Sequence, residues 1–239
     1  MRLLLSLVCL FVSSALQAAE PDRPAKHVDQ RIEGWRVRVD DRLLAEQHKD
    51  LGLQALALLQ ARLVDIVTVV PPPRVAKLRE VPIVLDLNHG ALTSMQYHPS
   101  VEWLTNNGYA SALAKCVHLP SAERFVHPRH QQVQPWCLLH ELAHAYHDQV
   151  LGFGEPRVVA AFQQYCDSGG GRPVLHIGGK RVRHYALTNA KEFFAEMTEC
   201  YFGTNDFYPF VQAELRDAQP QVYSLLREIW GPTPLHPES

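Results

Sequence analysis

The sequence has no excess of charge of either sign, no internal repeat and no low-complexity tract. Its 239 residues include 23 Lys and Arg against 25 Asp and Glu, which gives a formal net charge of -2. Because this balance offers polyanions no attractive field, we expect neither nucleic acid nor an anionic membrane as the main partner. The 46% apolar and 20% charged residues exclude disordered, collagenous and coiled-coil chains and indicate one sizeable globular core.

Long apolar runs are also lacking beyond the first twenty residues. The most apolar later stretch, residues 51–70, is interrupted by Gln54, Gln60, Arg62 and Asp65. A membrane-spanning helix needs about 20 mostly apolar residues. We therefore expect no membrane anchor in the mature chain.

The first residues have the pattern of a secretory signal peptide. Arg2 precedes a short apolar run at residues 3–12, and small residues follow up to Ala19. This order is typical of a signal peptide that is cleaved after the small residues, here after Ala19 or the alanine before it. We expect residues 1–19 to be the signal peptide and residues 20–239 to form a single domain that is secreted or periplasmic.

Cysteine is scarce, and no Cys-x-x-Cys pair occurs, which argues against a thiolate zinc site or a redox motif. Four cysteines remain after the expected cleavage: Cys116, Cys137, Cys166 and Cys200. In an oxidising compartment they could form up to two disulfides, in any of three pairings. Four buried thiols fit the sequence equally well, because a core of this size does not depend on disulfides.

Hydrophobic periodicity predicts both helices and strands. Apolar and polar residues alternate at residues 35–40, and residues 81–87 are mostly apolar, so we predict a strand in each. Apolar residues recur every three or four positions over residues 43–69, which predicts a helix that ends at three prolines. Residues 115–119 predict a further strand, which could form a sheet edge that pairs with an extended ligand.

The motif that most strongly indicates a functional site is His-Glu-Leu-Ala-His at residues 140–144, within a helix predicted for residues 135–152. Residues four apart lie on one helix face, so the imidazoles of His140 and His144 can bind one zinc ion at about 2.0–2.1 Å. Glu141 is offset by about 100 degrees around the helix, which lets its carboxylate reach a water on the ion.

A third protein ligand has to come from another segment. His147 lies about 10.5 Å along the helix axis from His140, which is too far for the same ion. A second helical segment, residues 189–200, is largely apolar yet has Glu192 and Glu196 on one face. Buried carboxylates need a partner, so we predict Glu192 as the third ligand and Glu196 as the acceptor for a ligand-histidine N–H. A solvated acidic face is the alternative for this pair.

Residues 184–189 lead into this second helix as a predicted short strand or turn, with Thr188 or Asn189 as the helix cap. Tyr185 in this segment could face the metal and donate a hydrogen bond to the oxyanion formed when water attacks a carbonyl. Plain packing is the alternative for this side chain.

These residues resemble two families of zinc metallopeptidases, the lethal-factor-like (ATLF-like) and the glucose-regulated bacterial metallopeptidases, both of which are gluzincins. The resemblance rests on residues 140–144 and on residues 185–196, which include Asn-x-x-Glu-Phe-Phe-Ala. It extends more weakly to residues 81–83 and 97–100. It implies that the single domain is a zincin-like α+β catalytic domain, mostly helical with a small mixed sheet over the active-site helix.

The resemblance also implies a site and an activity. His140, His144 and Glu192 would bind Zn²⁺, one ion per chain, with Glu141 as general base and Tyr185 as oxyanion donor. The expected function is hydrolysis of a peptide or protein substrate by a secreted enzyme. The alternatives are a zinc-dependent amidase acting on another amide, such as peptidoglycan, and a zinc-bearing binding protein without turnover. The oligomeric state stays open.

Overall fold

The structure is a computed structural model that describes residues 22–233, and the expected signal peptide lies outside these residues. The fold is α+β and mostly helical with a small mixed sheet, which confirms the predicted class at this level. The strands are β1 (His27–Ile32), β2 (Trp35–Asp40), β3 (Ile83–Leu85), β4 (Gln96–Tyr97), β5 (Val117–Leu119), β6 (Val174–Leu175) and β7 (Arg181–Val182). The helices are α1 (Lys49–Val69), α2 (Pro72–Leu78), α3 (Val101–Asn106), α4 (Ala122–Val126), α5 (Pro128–Val133), α6 (Cys137–Tyr146), α7 (Pro156–Asp167), α8 (Ala190–Phe202), α9 (Gln212–Ala218) and α10 (Pro220–Trp230).

The main sheet has the strand order β1-β2-β3-β5-β4. Strands β2, β3 and β5 run parallel, while β1 and β4 pair antiparallel with their neighbours. The predicted strands at residues 35–40 and 81–87 are confirmed as β2 and, over a shorter span, β3. The prediction that residues 115–119 form a sheet edge is wrong, because β5 is flanked by β3 and β4. The edge strand on this side of the sheet is β4, which at two residues is too short to show a periodic pattern.

Helix α1 begins later than its apolar pattern predicts. Residues 41–44 and 46–48 form two 3₁₀ turns before it, and the Asp40 side chain caps the first of these by accepting a hydrogen bond from the Arg42 N–H. By length and composition, residues 46–69 could cross a membrane, a test that core helices of soluble proteins also pass. One face of α1 is buried in the core, as in a core helix. The expected absence of a membrane anchor stays a prediction.

Helices α6 and α8 pack against each other in the main hydrophobic core and carry the predicted metal ligands and Glu141. Leu139 and Leu142 of α6 and Phe193 of α8 are almost completely buried. Burial of each such side chain contributes roughly 1.5–3 kcal/mol to folding, so the two helices are held in a fixed relation. The strands β4 and β5 lie over α6, which places the sheet edge beside the site.

The four cysteines of residues 22–233 are all free thiols. Cys116 and Cys200 are buried, while Cys137 and Cys166 are partly buried. Of the two alternatives that the sequence left open, the structure has unpaired thiols rather than disulfides. Its stability therefore rests on the packed core.

Candidate metal centre

Two imidazoles stand one turn apart on the face of α6 that opens into a cleft. The rings of His140 and His144 lie 4.7 Å apart at an interplanar angle of 83 degrees. His140 is 7% exposed, and both side chains line the cleft with their Nε2 atoms turned towards α8. The predicted helix thus presents both histidines to one point in space.

Glu192 meets the two histidines from α8. Its Oε2 atom lies 3.2 Å from His140 Nε2 and 3.2 Å from His144 Nε2. Asn189 fixes the start of α8, because its side chain accepts hydrogen bonds from the N–H groups of Lys191 and Glu192. Of the two predicted caps, Thr188 and Asn189, the structure has Asn189, and it brings Glu192 together with both histidines.

The separations fit a tetrahedral zinc ion. Ligands at about 2.0–2.1 Å from zinc lie about 3.3 Å from one another, close to the 3.2 Å distances from Glu192 to the two imidazoles. Two histidines and one glutamate are also a common donor set of catalytic zinc, which keeps its fourth position for solvent. The residues present therefore fit the metal that the sequence predicts, and the structure shows a group able to hold a cation.

The charge state of Glu192 suits a metal ligand. Burial favours a higher pKa for this carboxyl group, but hydrogen bonds from His140 and His144 outweigh burial and hold the pKa well below its usual value. Metal ligands have to be deprotonated, so an ionised carboxylate facing two imidazoles is ready to bind a divalent cation.

The hydrogen-bond partner of the first histidine is Glu199, which the sequence prediction missed. His140 Nδ1–H donates to Glu199 Oε1 at 2.7 Å, while the nearest oxygen of Glu196 is 3.9 Å away. Such a bond fixes the tautomer of a ligand histidine and leaves its Nε2 lone pair for the metal. The assignment of Glu196 to this role is wrong. Helix α8 crosses α6 at an angle that brings Glu199, two turns after Glu192, to the Nδ1 atom of His140.

Glu196 is buried between these groups with a different environment. It is 2% exposed, and its Oε2 atom has no hydrogen-bond partner among the described residues. Burial, followed by the charge of Glu199, raises the pKa of Glu196 well above its usual value. A neutral carboxylic acid here avoids placing two buried negative charges side by side.

Replacing Glu199 by Ala is expected to weaken zinc binding by about 10- to 100-fold, because His140 loses the group that orients its ring. Glu196→Ala is the matched control, since it removes the same side chain one turn away and is expected to change the affinity by less than about threefold. Competition with a chromophoric chelator measures both affinities. Glu199→Gln, which keeps an acceptor oxygen, should recover much of the loss; equal affinities for the two alanine variants would contradict the assignment.

Glu141 lies beside the ligand triad without belonging to it. Its Oε2 atom accepts a hydrogen bond of 2.8 Å from the backbone N–H of Tyr97 in the edge strand β4. Glu141 is 8% exposed, and burial raises its pKa while the neighbouring His140 and His144 oppose this effect. A carboxylate that is held in place and made more basic by burial suits a general base.

Tyr185 lies at the mouth of the same cleft. It begins a 3₁₀ turn, residues 185–187, rather than the strand that was one of the two predicted alternatives. Its side chain is 47% exposed and lines the cleft together with Glu192. Burial, followed by the charge of Glu192, raises the pKa of Tyr185, so its hydroxyl keeps the proton that a hydrogen-bond donor needs.

The cleft has a volume of about 450 Å³ and is open to solvent. Its floor is the face of α6 with the two histidines, and one wall is β4, where Gln96 and Tyr97 contribute to the lining. Arg124 and Lys191 add positive charge to the walls. The site is therefore accessible to a ligand much larger than water.

His147 is close in sequence to the ligands but takes no part in the centre. Helix α6 continues into one π turn, residues 147–151, which buries the His147 ring against Phe153 and Phe194. Neither ring nitrogen has a hydrogen-bond partner among residues 22–233, and burial lowers the pKa to about 4. The neutral ring acts as a core aromatic, in agreement with its exclusion as a ligand from sequence.

Comparisons with protein-family models, with curated proteins and with solved structures found no match to this chain. The chemistry of the centre is therefore inferred from its own geometry.

Proposed function

We propose that this protein is a zinc metallopeptidase of the gluzincin type with a zincin-like catalytic domain. The observation that carries the proposal is the meeting of His140, His144 and Glu192 at one point, with a separate carboxylate, Glu141, held beside it. A structural zinc site takes a fourth protein ligand and does not need a base. Three ligands and an adjacent base are the set that amide hydrolysis requires.

Each residue of the centre has a defined task in hydrolysis. Zinc bound by the triad would supply a Lewis acid for the scissile carbonyl and a water whose pKa is lowered to about 7. Glu141 accepts the proton of the attacking water and passes it to the leaving amine. The Tyr97 N–H holds one oxygen of Glu141, which directs the carboxylate and leaves the other oxygen for proton transfer. Glu199 keeps His140 in the tautomer that binds through Nε2.

The edge strand β4 supports a peptide as the substrate. It lies beside the site, and one of its two edges is not taken by another strand of the described residues. A ligand would pair there through main-chain groups other than the Tyr97 N–H, which Glu141 holds. Extended peptides bind sheet edges through main-chain hydrogen bonds, which are independent of side-chain identity. A segment bound along β4 would cross the cleft above the two histidines.

Replacing Tyr185 by Phe is expected to lower kcat by about 10- to 1,000-fold with little change in KM, because the hydroxyl acts on the oxyanion and not on the ground-state substrate. Tyr208→Phe, at a similarly exposed tyrosine outside the cleft lining, is the matched control. Steady-state kinetics on a cleaved peptide gives both parameters. An unchanged kcat would contradict the role of Tyr185 as oxyanion donor and would indicate that its side chain only packs.

The proposal is tested with the purified protein in three parallel assays. Metal analysis should find zinc, a diverse peptide library should be cleaved, and a chelator should abolish cleavage that added zinc restores. Purified peptidoglycan in place of peptides tests the amidase alternative. Stoichiometric zinc without hydrolysis of either substrate would contradict the proposed enzyme and favour a binding protein.

A further inference from the structure

A second cluster of histidines lies in the sheet, away from the α6 and α8 triad. The carboxylate of Asp86, which follows β3, is bonded to three imidazoles, one from its own segment, one from β1 and one from β5. His89 Nδ1 and His118 Nε2 lie 2.6 and 2.8 Å from Oδ2, and His27 Nε2 lies 2.7 Å from Oδ1. As with Glu192, two imidazole nitrogens converge on one carboxylate oxygen.

The cluster is buried, and the carboxylate of Asp86 has no Arg or Lys partner among residues 22–233. The side chains of Asp86 and His118 are completely buried, and those of His89 and His27 are 7% and 16% exposed. A carboxylate held among imidazoles in the interior is stabilised by a cation.

We propose that Asp86, His89 and His118 form a second metal site that takes a zinc-class divalent cation, because their ligand atoms lie within 4.8 Å of one another. Two imidazole nitrogens and one carboxylate oxygen are donors that zinc takes in proteins, and His27 holds the other oxygen of the same carboxylate. The site is independent of the proposed peptidase activity.

The packing around the cluster fits a bound ion. The separations of 2.6–2.8 Å are shorter than the tetrahedral value of about 3.3 Å, so binding moves the groups apart by about 0.5–0.7 Å, which small side-chain rotations allow. The partial exposure of His27 and His89 leaves a route for the ion from solvent. The ion would join the segment after β3 to β5.

His118 also has the outer hydrogen bond that a ligand histidine needs. Its Nδ1 atom lies 3.1 Å from Nε2 of His98, which is buried. With its Nε2 lone pair on the cation, His118 has a proton on Nδ1 to donate, and the Nε2 atom of His98 is placed to accept it. The tautomers of both rings are consistent with metal binding.

Cobalt binding to the untagged protein tests the second site separately from the first. His144→Ala disables the peptidase centre and, if the second site exists, should still bind about one Co²⁺ per chain, with visible absorption bands of cobalt bound to nitrogen and oxygen. Adding His89→Ala should weaken this binding by at least about tenfold. Adding His127→Asn, at an exposed helix cap outside the cluster, is the matched control and should leave it unchanged.

Thermal melts of the same proteins give a second measurement. Co²⁺ should raise the Tm of His144→Ala but not that of His144→Ala/His89→Ala, because a ligand that binds only the folded state stabilises it. His89→Gln, which keeps most of the side-chain volume, serves if His89→Ala does not fold. A folded His144→Ala protein that binds no Co²⁺, or binding that the His89 variant leaves intact, overturns the second site. If wild type and His144→Ala bind equal amounts of Co²⁺, the assignment of His144 as a metal ligand of the peptidase centre is wrong instead.

Discussion

Replacing Glu141 by Gln is expected to leave zinc binding intact and to lower kcat/KM by at least about a hundredfold, since general-base catalysis contributes roughly 10²- to 10⁴-fold. Glutamine has the same shape and can still accept the hydrogen bond from the Tyr97 N–H. It cannot accept the proton of the attacking water. Zinc content and peptide cleavage, measured on the same preparation, separate these two properties.

The matched control for this variant is Glu102→Gln, which changes an exposed carboxylate in the first turn of α3. It should match the wild type in zinc content and in rate. Cleavage by Glu141→Gln at the normal rate would show that another group is the base. Loss of zinc from Glu141→Gln would show instead that this carboxylate helps to hold the metal.

Replacing either Glu192 or His144 by Ala is expected to remove zinc and activity together. Each supplies one of the three protein ligands, and the remaining two bind zinc too weakly to hold it through dialysis. The Glu192 side chain is 19% exposed at the cleft, so its truncation leaves no deep cavity and the chain should stay folded. Zinc bound at the triad, measured by metal analysis after dialysis, should fall to below about one tenth per chain.

The proposed second site can retain its own ion in these variants, so the metal analysis is repeated in the His89→Ala background. Far-ultraviolet circular dichroism shows whether each variant is folded. Glu102→Ala, at the exposed carboxylate of α3, is the control and should keep both zinc and activity. A folded Glu192→Ala protein with full zinc and normal cleavage would mean that another residue is the third ligand.

Local patterns in the sequence predict much of the fold and the inner part of the metal centre. Alternation at residues 35–40 matches β2, and the histidine spacing at residues 140–144 places both imidazoles on one face of α6. Glu192 is predictable because a carboxylate in an apolar helix needs a partner. The enzymatic activity, the secretion and the identity of zinc stay predictions.

The outer part of the centre depends on geometry that no local pattern contains. Helical periodicity places Glu192, Glu196 and Glu199 near one face of α8 but does not give the angle at which α8 crosses α6. That angle decides which carboxylate meets His140. The contact between Tyr97 and Glu141 uses a backbone N–H, which every residue except proline has, so no residue type indicates it.

The hydrogen bond from the Tyr97 N–H to Glu141 also has a consequence for the design of inhibitors of the proposed peptidase. That donor is already engaged, so an extended peptidomimetic laid along β4 gains no affinity from a carbonyl group placed opposite Tyr97. A compound that competes for this N–H would release Glu141 and leave a buried carboxylate with one fewer donor. Affinity is better sought from a chelating group over the two imidazoles and from anionic substituents directed at Arg124 and Lys191.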